Sequence, residues 1–214
     1  MANEPAAITR LVEEIDHYLA DLRGPGIEEV RQGILRFAQG PVNEGIKPSQ
    51  PACGHLDAAL LCMHGADALR HAIKEARPQL RWITYDAYPD DMIGGRFPVA
   101  HAFASLIGRD ASLPADDFEL GLFLIVPHTL YRDHRHKAPE LYLPLTGPHE
   151  WRFGVGERWT EYKASTPIWN ESMRVHATLV RDIPFLAIFA WTRDVTADAT
   201  VVPANDWAEI EAEL

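Results

Sequence analysis

The amino-acid sequence predicts a mainly β protein, a small barrel or sandwich preceded by a helical region over residues 1–80. Three observations point there. Apolar residues recur with a helical period through the first third of the chain. From Trp82 that period gives way to short apolar and aromatic runs rich in Val, Ile, Phe, Tyr and Trp. Turn residues such as Thr146-Gly147-Pro148 then separate those runs, as antiparallel strands in a sandwich or barrel require.

The helical elements come first. Ile8, Leu11, Val12, Ile15, Leu19 and Leu22 stand at three- and four-residue steps, which gathers them on one helix face. Thr9 is the expected cap and Gly24-Pro25-Gly26 the stop. A second helix is expected over 27–38 and a third over 55–76, with 43–51 as the loop between them. The strands are expected within WITYDAY (82–88), FELGLFLIV (118–126), ELYLPL (140–145), WRFGV (151–155) and FLAIFAWTR (185–193). Whether the helices cover one sheet or make a dimer contact is left open by the pattern.

Composition narrows the function classes. The 214-residue chain has a formal net charge of −11 and no basic stripe, so nucleic-acid phosphates would be repelled. The acidic excess modestly favours a cationic or zwitterionic ligand. Cys53 and Cys62 are too few for a disulfide framework and fit no zinc spacing. No window has the length and purity of a membrane span, and the acidic start lacks a basic region followed by an apolar stretch. A cytoplasmic protein with a small-molecule substrate, and neither a nucleic-acid nor a membrane partner, is the expectation.

The chemistry concentrates in Tyr131-Arg-Asp-His134-Arg-His136-Lys-Ala-Pro-Glu140-Leu-Tyr142. Side chains alternate along a strand, so His134 and His136 point the same way and can share one ion. Glu140 has the same parity and can close on that ion after a turn near Pro139, with Tyr142 following it inward. His176, at the start of a later strand-like segment, supplies a third imidazole. Three His and one carboxylate leave positions open for substrate or water on a first-row metal. Of the other histidines, His128 has the parity to face inward, whereas His149 is expected to be exposed. Arg132, Arg135 and Lys137 alternate against the ligands and are expected to face solvent.

His134-x-His136-x3-Glu140-x6-Gly147 resembles the first motif of the cupins, whose second motif ends in a His that His176 would fill. Two departures stand out: His128 occupies the place of the usual glycine, and the second motif is stretched over 167–176. The resemblance implies a cupin fold, a double-stranded β-helix or jelly-roll barrel over residues 81–214, preceded by the helical region. A narrower resemblance covers roughly residues 80–192. The segment TYDAYP (84–89), Ile93-Gly94, Phe97, His101-Ala102 and the two tyrosines flanking the motif look like the cupin-type dimethylsulfoniopropionate lyases.

That resemblance implies a metal-dependent lyase. It would split dimethylsulfoniopropionate, or a similar β-substituted carboxylate, by β-elimination to dimethyl sulfide and acrylate. It places Tyr142 and Tyr131 beside the metal, where a nearby divalent cation favours a phenolate, so Tyr142 is the expected base with Tyr131 assisting or positioning substrate. The ion is expected to be Fe(II) or Zn(II), with Mn(II), Ni(II) and Co(II) also compatible with the donors. Trp159, Tyr162 and Trp169 are candidate aromatic partners for the sulfonium cation, ahead of Phe153 and Trp191. Many cupins pair, so a homodimer is compatible with the resemblance, and the sequence leaves the oligomeric state open. The same ligands also suit two alternatives: a cupin Fe(II) dioxygenase or other oxidoreductase, and a non-catalytic metal- or small-molecule-binding cupin.

Overall fold

A computed structural model describes residues 6–38, 40 and 50–214. Helices α1 (Ala7–Ala20) and α2 (Ile27–Phe37) form close to their expected limits. Thr9 lies inside α1 instead of capping it; Ala6 precedes the helix and offers no side-chain cap. The single helix expected over 55–76 is broken. A 3-10 turn at Pro51–His55 leads into α3 (Leu56–Leu61), and α4 (Asp67–Ala76) follows. Gly65 between them has φ +72°, a left-handed conformation that ends one helix before the next begins. Most of the loop expected over 43–51 lies outside the described residues.

Two short helices, α5 (Asp90–Ile93) and α6 (Phe97–Ala100), precede the strands, and α7 (Trp207–Ala212) closes the chain. The strands are β1 (His101–Gly108), β2 (Leu113–Pro114), β3 (Glu119–Ile125), β4 (Thr129–Arg135), β5 (Glu140–Pro144) and β6 (His149–Arg152). They continue with β7 (Thr160–Tyr162), β8 (Ile168–Asn170), β9 (His176–Val180), β10 (Phe185–Trp191) and β11 (Thr200–Val201). They form two sheets, ordered β2-β1-β3-β10-β5-β8 and β11-β4-β9-β6-β7. WITYDAY is not a strand: only Ile83 bridges, to Phe103, and the two tyrosines are freed to turn inward.

The six-stranded sheet is buried on both faces. Leu120, Leu122 and Leu124 of β3, Leu141 and Leu143 of β5, and Leu186 and Ile188 of β10 share one cluster with α1, α2, α3 and α4. The intervening residues, including Phe123, Tyr142, Phe185 and Phe189, face the other sheet and form a second cluster with Tyr131, Trp151 and Val180. The helices therefore cover the outer face of one sheet, through the alternation of side chains along its strands.

Candidate active site

The site lies between the sheets and draws on both. His134 near the end of β4 and His176 at the start of β9 are register partners in the five-stranded sheet; Glu140 opens β5 in the other. His136 follows β4. One ring nitrogen from each of His134, His136 and His176 falls within 4.8 Å of the others, and all three residues are buried. Glu140 Oε2 is 3.1 Å from His136 Nε2 and 3.4 Å from His176 Nε2.

Hydrogen bonding fixes each imidazole for ligation. Nδ1–H of His134 donates to Arg132 O at 2.8 Å, that of His136 to Ala138 O at 2.7 Å, and that of His176 to Arg174 O at 3.0 Å. With the proton on Nδ1, every Nε2 presents a bare lone pair to the centre. Nε2 of His134 and of His176 is buried without a hydrogen-bond partner. His136 Nε2 faces a carboxylate oxygen at 3.1 Å, so a positive charge, a proton or a metal ion, belongs between them. A divalent metal ion fits this donor set, and three buried imidazoles are able to hold one.

Electrostatics follow the same geometry. Burial, and then the neighbouring His176 and His136, push His134 well below its ordinary pKa. Burial would lower His136 too, but the Glu140 carboxylate outweighs it and raises the pKa. Burial would raise Glu140, yet His136 and His176 hold it well below the usual carboxylate range. An ionised carboxylate beside imidazole lone pairs is a metal-ligand arrangement. Two donors orient Glu140: Trp191 Nε1–H reaches Oε1 at 2.8 Å and Asn170 Nδ2 reaches Oε2 at 3.2 Å.

Tyr131 and His134 differ by three positions, so simple alternation would set them on opposite faces. A β-bulge lies between them: Tyr131 pairs with Thr178 and His134 with His176, three steps on β4 against two on β9. The extra residue puts both side chains inside. Four rings then stack in a column, His101 on Phe97, Phe97 on Tyr131 and Tyr131 on His134, with centroids 4.0, 4.0 and 3.9 Å apart. Tyr131 also shares a 2.6 Å hydroxyl–hydroxyl bond with Tyr88. Burial, followed by neighbouring hydroxyls or Glu140, raises Tyr88, Tyr131 and Tyr142 well above the ordinary phenol pKa.

Beside Glu140 opens a cavity of about 180 Å³, walled by Tyr131, Tyr142, Tyr88, Phe189, Trp191 and Glu119 among others. That volume suits a ligand of few heavy atoms, since drug-sized ligands occupy about 300–1,000 Å³.

The three aromatic residues favoured for the sulfonium do not line this cavity. Trp169 lies between Ile168 and Asn170, which face inward, so it faces outward and packs against Gly26 at the start of α2. Trp159 is held under the Arg152 guanidinium, and Tyr162 on β7 packs against Trp151 and Phe153. Phe153 is not in the wall either, whereas Trp191 is. Tyr85 and Tyr88 also line it and were not singled out by residue pattern, although TYDAYP contains both. Asn170 carried no sequence signal beyond its place in the stretched second motif.

Three other expectations are corrected. His149 is buried, held by Thr146 Oγ1 at 3.1 Å, because β6 turns it inward. His128 is exposed at φ +57°, in a turn before β4 where strand parity does not apply. Arg132 does not face open solvent: it pairs with Glu211 at 2.8 Å and lies over Trp207.

The dimethylsulfoniopropionate lyase family model matches residues 30–187. A relative, dimethylsulfoniopropionate lyase DddQ of Ruegeria pomeroyi, is 26% identical over 149 residues, covering 65% of this chain and 68% of that protein. The crystal structure of DMSP lyase DddQ from Ruegeria pomeroyi superimposes with a TM-score of 0.73 at 20% identity, over 93% of this chain and 98% of that one. A chain from the crystal structures of DMSP lyases RdDddP and RnDddQII gives 0.72 at 18% identity, over 92% and 98%.

Proposed function

The chain belongs to the dimethylsulfoniopropionate lyase family, and on that premise we propose that His134, His136, Glu140 and His176 hold a divalent metal ion beside which Tyr142 acts as base. Members of this family are lyases that cleave dimethylsulfoniopropionate to dimethyl sulfide and acrylate, and that is this chain's activity. The match favours elimination over the oxygenase and binding-only alternatives. The carrying observation for the site is the buried cluster of three imidazoles, two of which lie within 3.4 Å of the ionised Glu140 carboxylate.

A bound divalent ion supplies Lewis acidity to the substrate carboxylate and a positive charge that favours a phenolate nearby. The chain's own residues do the rest. Tyr142 projects inward two residues after Glu140, and burial, followed by the nearby Glu140 carboxylate, raises its pKa in the absence of a cation. In the proposed step Tyr142 takes the α-proton, the C–H pair becomes the new double bond, and the carbon–sulfur bond breaks with its pair leaving on sulfur. The leaving group is neutral, so no general acid is needed. Tyr131, stacked on His134 and bonded to Tyr88, positions substrate. The aromatic rings of the cavity wall lower the polarity around the developing enolate.

Fe(II) or Zn(II) is the proposed ion, on the strength of three nitrogen donors and one oxygen. The unpaired Cys53 and Cys62 accord with a proposed cytoplasmic location, and pairing of two copies is part of the same proposal.

Headspace dimethyl sulfide above metal-loaded protein and dimethylsulfoniopropionate tests the reading. Wild-type protein is expected to release it and Tyr142→Phe to lose at least about a hundredfold in rate, the typical contribution of a positioned base. His136→Ala is expected to lose its metal by elemental analysis; unchanged metal content would reject the ligand set. A fully active Tyr142→Phe would reject the base.

A further inference from the structure

The six-stranded sheet carries one row of inward residues across four strands. Glu119 of β3 pairs with Trp191 of β10, Trp191 with Glu140 of β5, and Glu140 with Asn170 of β8. Glu140 is the proposed ligand, and Trp191 and Asn170 are the donors that orient it. Glu119, at the far end of the row, has no part in that network. Its carboxyl accepts a hydrogen bond from Ser105 and lines the cavity that Glu140 also lines. Among the described residues no cation lies within ion-pair distance of it.

A partly buried carboxylate without an ion-pair partner is costly unless a positive charge meets it. Burial first, and Glu140 and Asp110 with it, raise the Glu119 pKa against the Ser105 hydrogen bond, and a cation beside it would favour the ionised form. Arg81 and Arg109 line the adjoining open hollow, which shares Phe103, Glu119, Val195 and Thr196 with the cavity, but neither pairs with Glu119. Glu119 thus stands where the hollow and the cavity meet.

The distances suit a ligand charged at both ends. Adjacent strands lie about 4.8 Å apart, so the backbones at Glu119 and Glu140 are separated by roughly twice that. Glu119 leans toward Ser105 of β1, on the side of β3 away from Trp191, and both carboxylates still line the one cavity. A molecule with its carboxylate at the His134–Glu140 pole and a cation two methylenes away would place that cation over the Trp191 and Phe189 rings, facing Glu119.

We propose that Glu119 is the counter-charge for the substrate's sulfonium, a specificity residue that selects cationic over neutral β-substituted carboxylates. This rests on the lyase reading for the identity of the substrate, and not for the preference itself. Glu119 touches neither the α-proton nor the ligand set, so its loss is expected to raise KM more than it lowers kcat.

The test uses two inhibitors of almost the same shape that differ in charge, 3-(trimethylammonio)propionate and 4,4-dimethylpentanoate. Binding to metal-loaded protein is read by calorimetry, with acrylate as a control lacking the substituent. Wild-type protein is expected to prefer the cation by about tenfold, in the range of one close charge pair. Glu119→Gln is expected to shrink that preference to within about twofold, Glu119→Asp to keep most of it, and acrylate to bind all three alike. Metal content is expected to be unchanged. Absence of the preference in wild-type protein, or its survival in Glu119→Gln, overturns the proposal. If Glu119→Gln does not fold, the wild-type preference and the Asp variant decide. A wild-type protein that prefers the cation but releases no dimethyl sulfide rejects the lyase reading and leaves the Glu119 inference supported.

Discussion

The two sheets solve the same problem with opposite chemistry. The six-stranded sheet, which carries Glu140 and Tyr142, is backed by helices through an apolar layer of Leu120, Leu122, Leu124, Leu141 and Leu143. The five-stranded sheet, which carries His134 and His176, has beside it a charged cluster. Arg152 of β6 makes a bidentate pair with Asp133 of β4 and a second with Asp206, and Trp207 Nε1–H donates to Asp133 at 2.8 Å. Arg152 and Asp133 are essentially inaccessible. One half of the metal pole therefore rests on dispersion and hydrophobic burial, and the other on directional ionic bonds. Packing tolerates a small adjustment, whereas a buried ion pair missing one partner does not.

Breaking the ionic half is expected to have the largest effect. Arg152→Ala leaves Asp133 buried without its guanidinium, and a loss of about 3–5 kcal/mol in urea unfolding is expected. The apolar half is expected to yield less at any one point: Leu122→Ala costs about 3 kcal/mol by the cavity it leaves, with metal stoichiometry unchanged. Equal losses, or metal loss from Leu122→Ala, would erase the distinction between the sheets.

Acid sharpens the comparison, since each sheet carries one buried neutral histidine outside the proposed ligand set. His101 at the start of β1 gives Nδ1–H to Phe97 O and accepts Tyr85 N–H on Nε2. His149 in β6 must donate Nε2–H to Thr146 Oγ1, because that hydroxyl's own proton goes to Pro184 O. Burial lowers both to about 4. The unfolded chain, with pKa near 6.5, binds more protons between these values, so stability is full above about pH 6.5 and falls as pH drops toward 4. From pH 7 to pH 5 metal-free protein is expected to lose on the order of 2 kcal/mol per histidine, read from urea midpoints. His101→Gln and His149→Gln are each expected to remove part of the drop, with buried His134 contributing to the remainder, and a flat profile in wild-type protein would contradict this.

The smallest effect is expected at residues outside the cavity. Trp159→Phe is expected to change KM by less than about twofold, because its ring meets Arg152 and not the cavity. A tenfold rise would return it to the substrate site.

What the sequence made legible was periodic. Alternation sets His134, Glu140 and Tyr142 inward, and it also describes β5 and β10 correctly. It fails where both faces of a strand are covered: Trp169 is aromatic because it faces helices, and no period distinguishes that from facing substrate. It fails again at the bulge, which leaves Tyr131 on the ligand face against its parity. The break at Gly65 and the inward turn of Tyr85 and Tyr88 depend on backbone conformation that apolar spacing does not encode. Glu119 was hidden in an apolar run, readable only once the row across the sheet was known.

The column of rings from His101 to His134 has a consequence for how the ion arrives. A histidine clamped on its face by Tyr131 and at Nδ1 by a carbonyl has little freedom to swing away. The template is therefore set before the metal comes, and loading is expected to leave the backbone where it was. Ions of different size would be discriminated by a rigid mould, and exchange between them would proceed at the speed of dehydration and entry rather than of refolding.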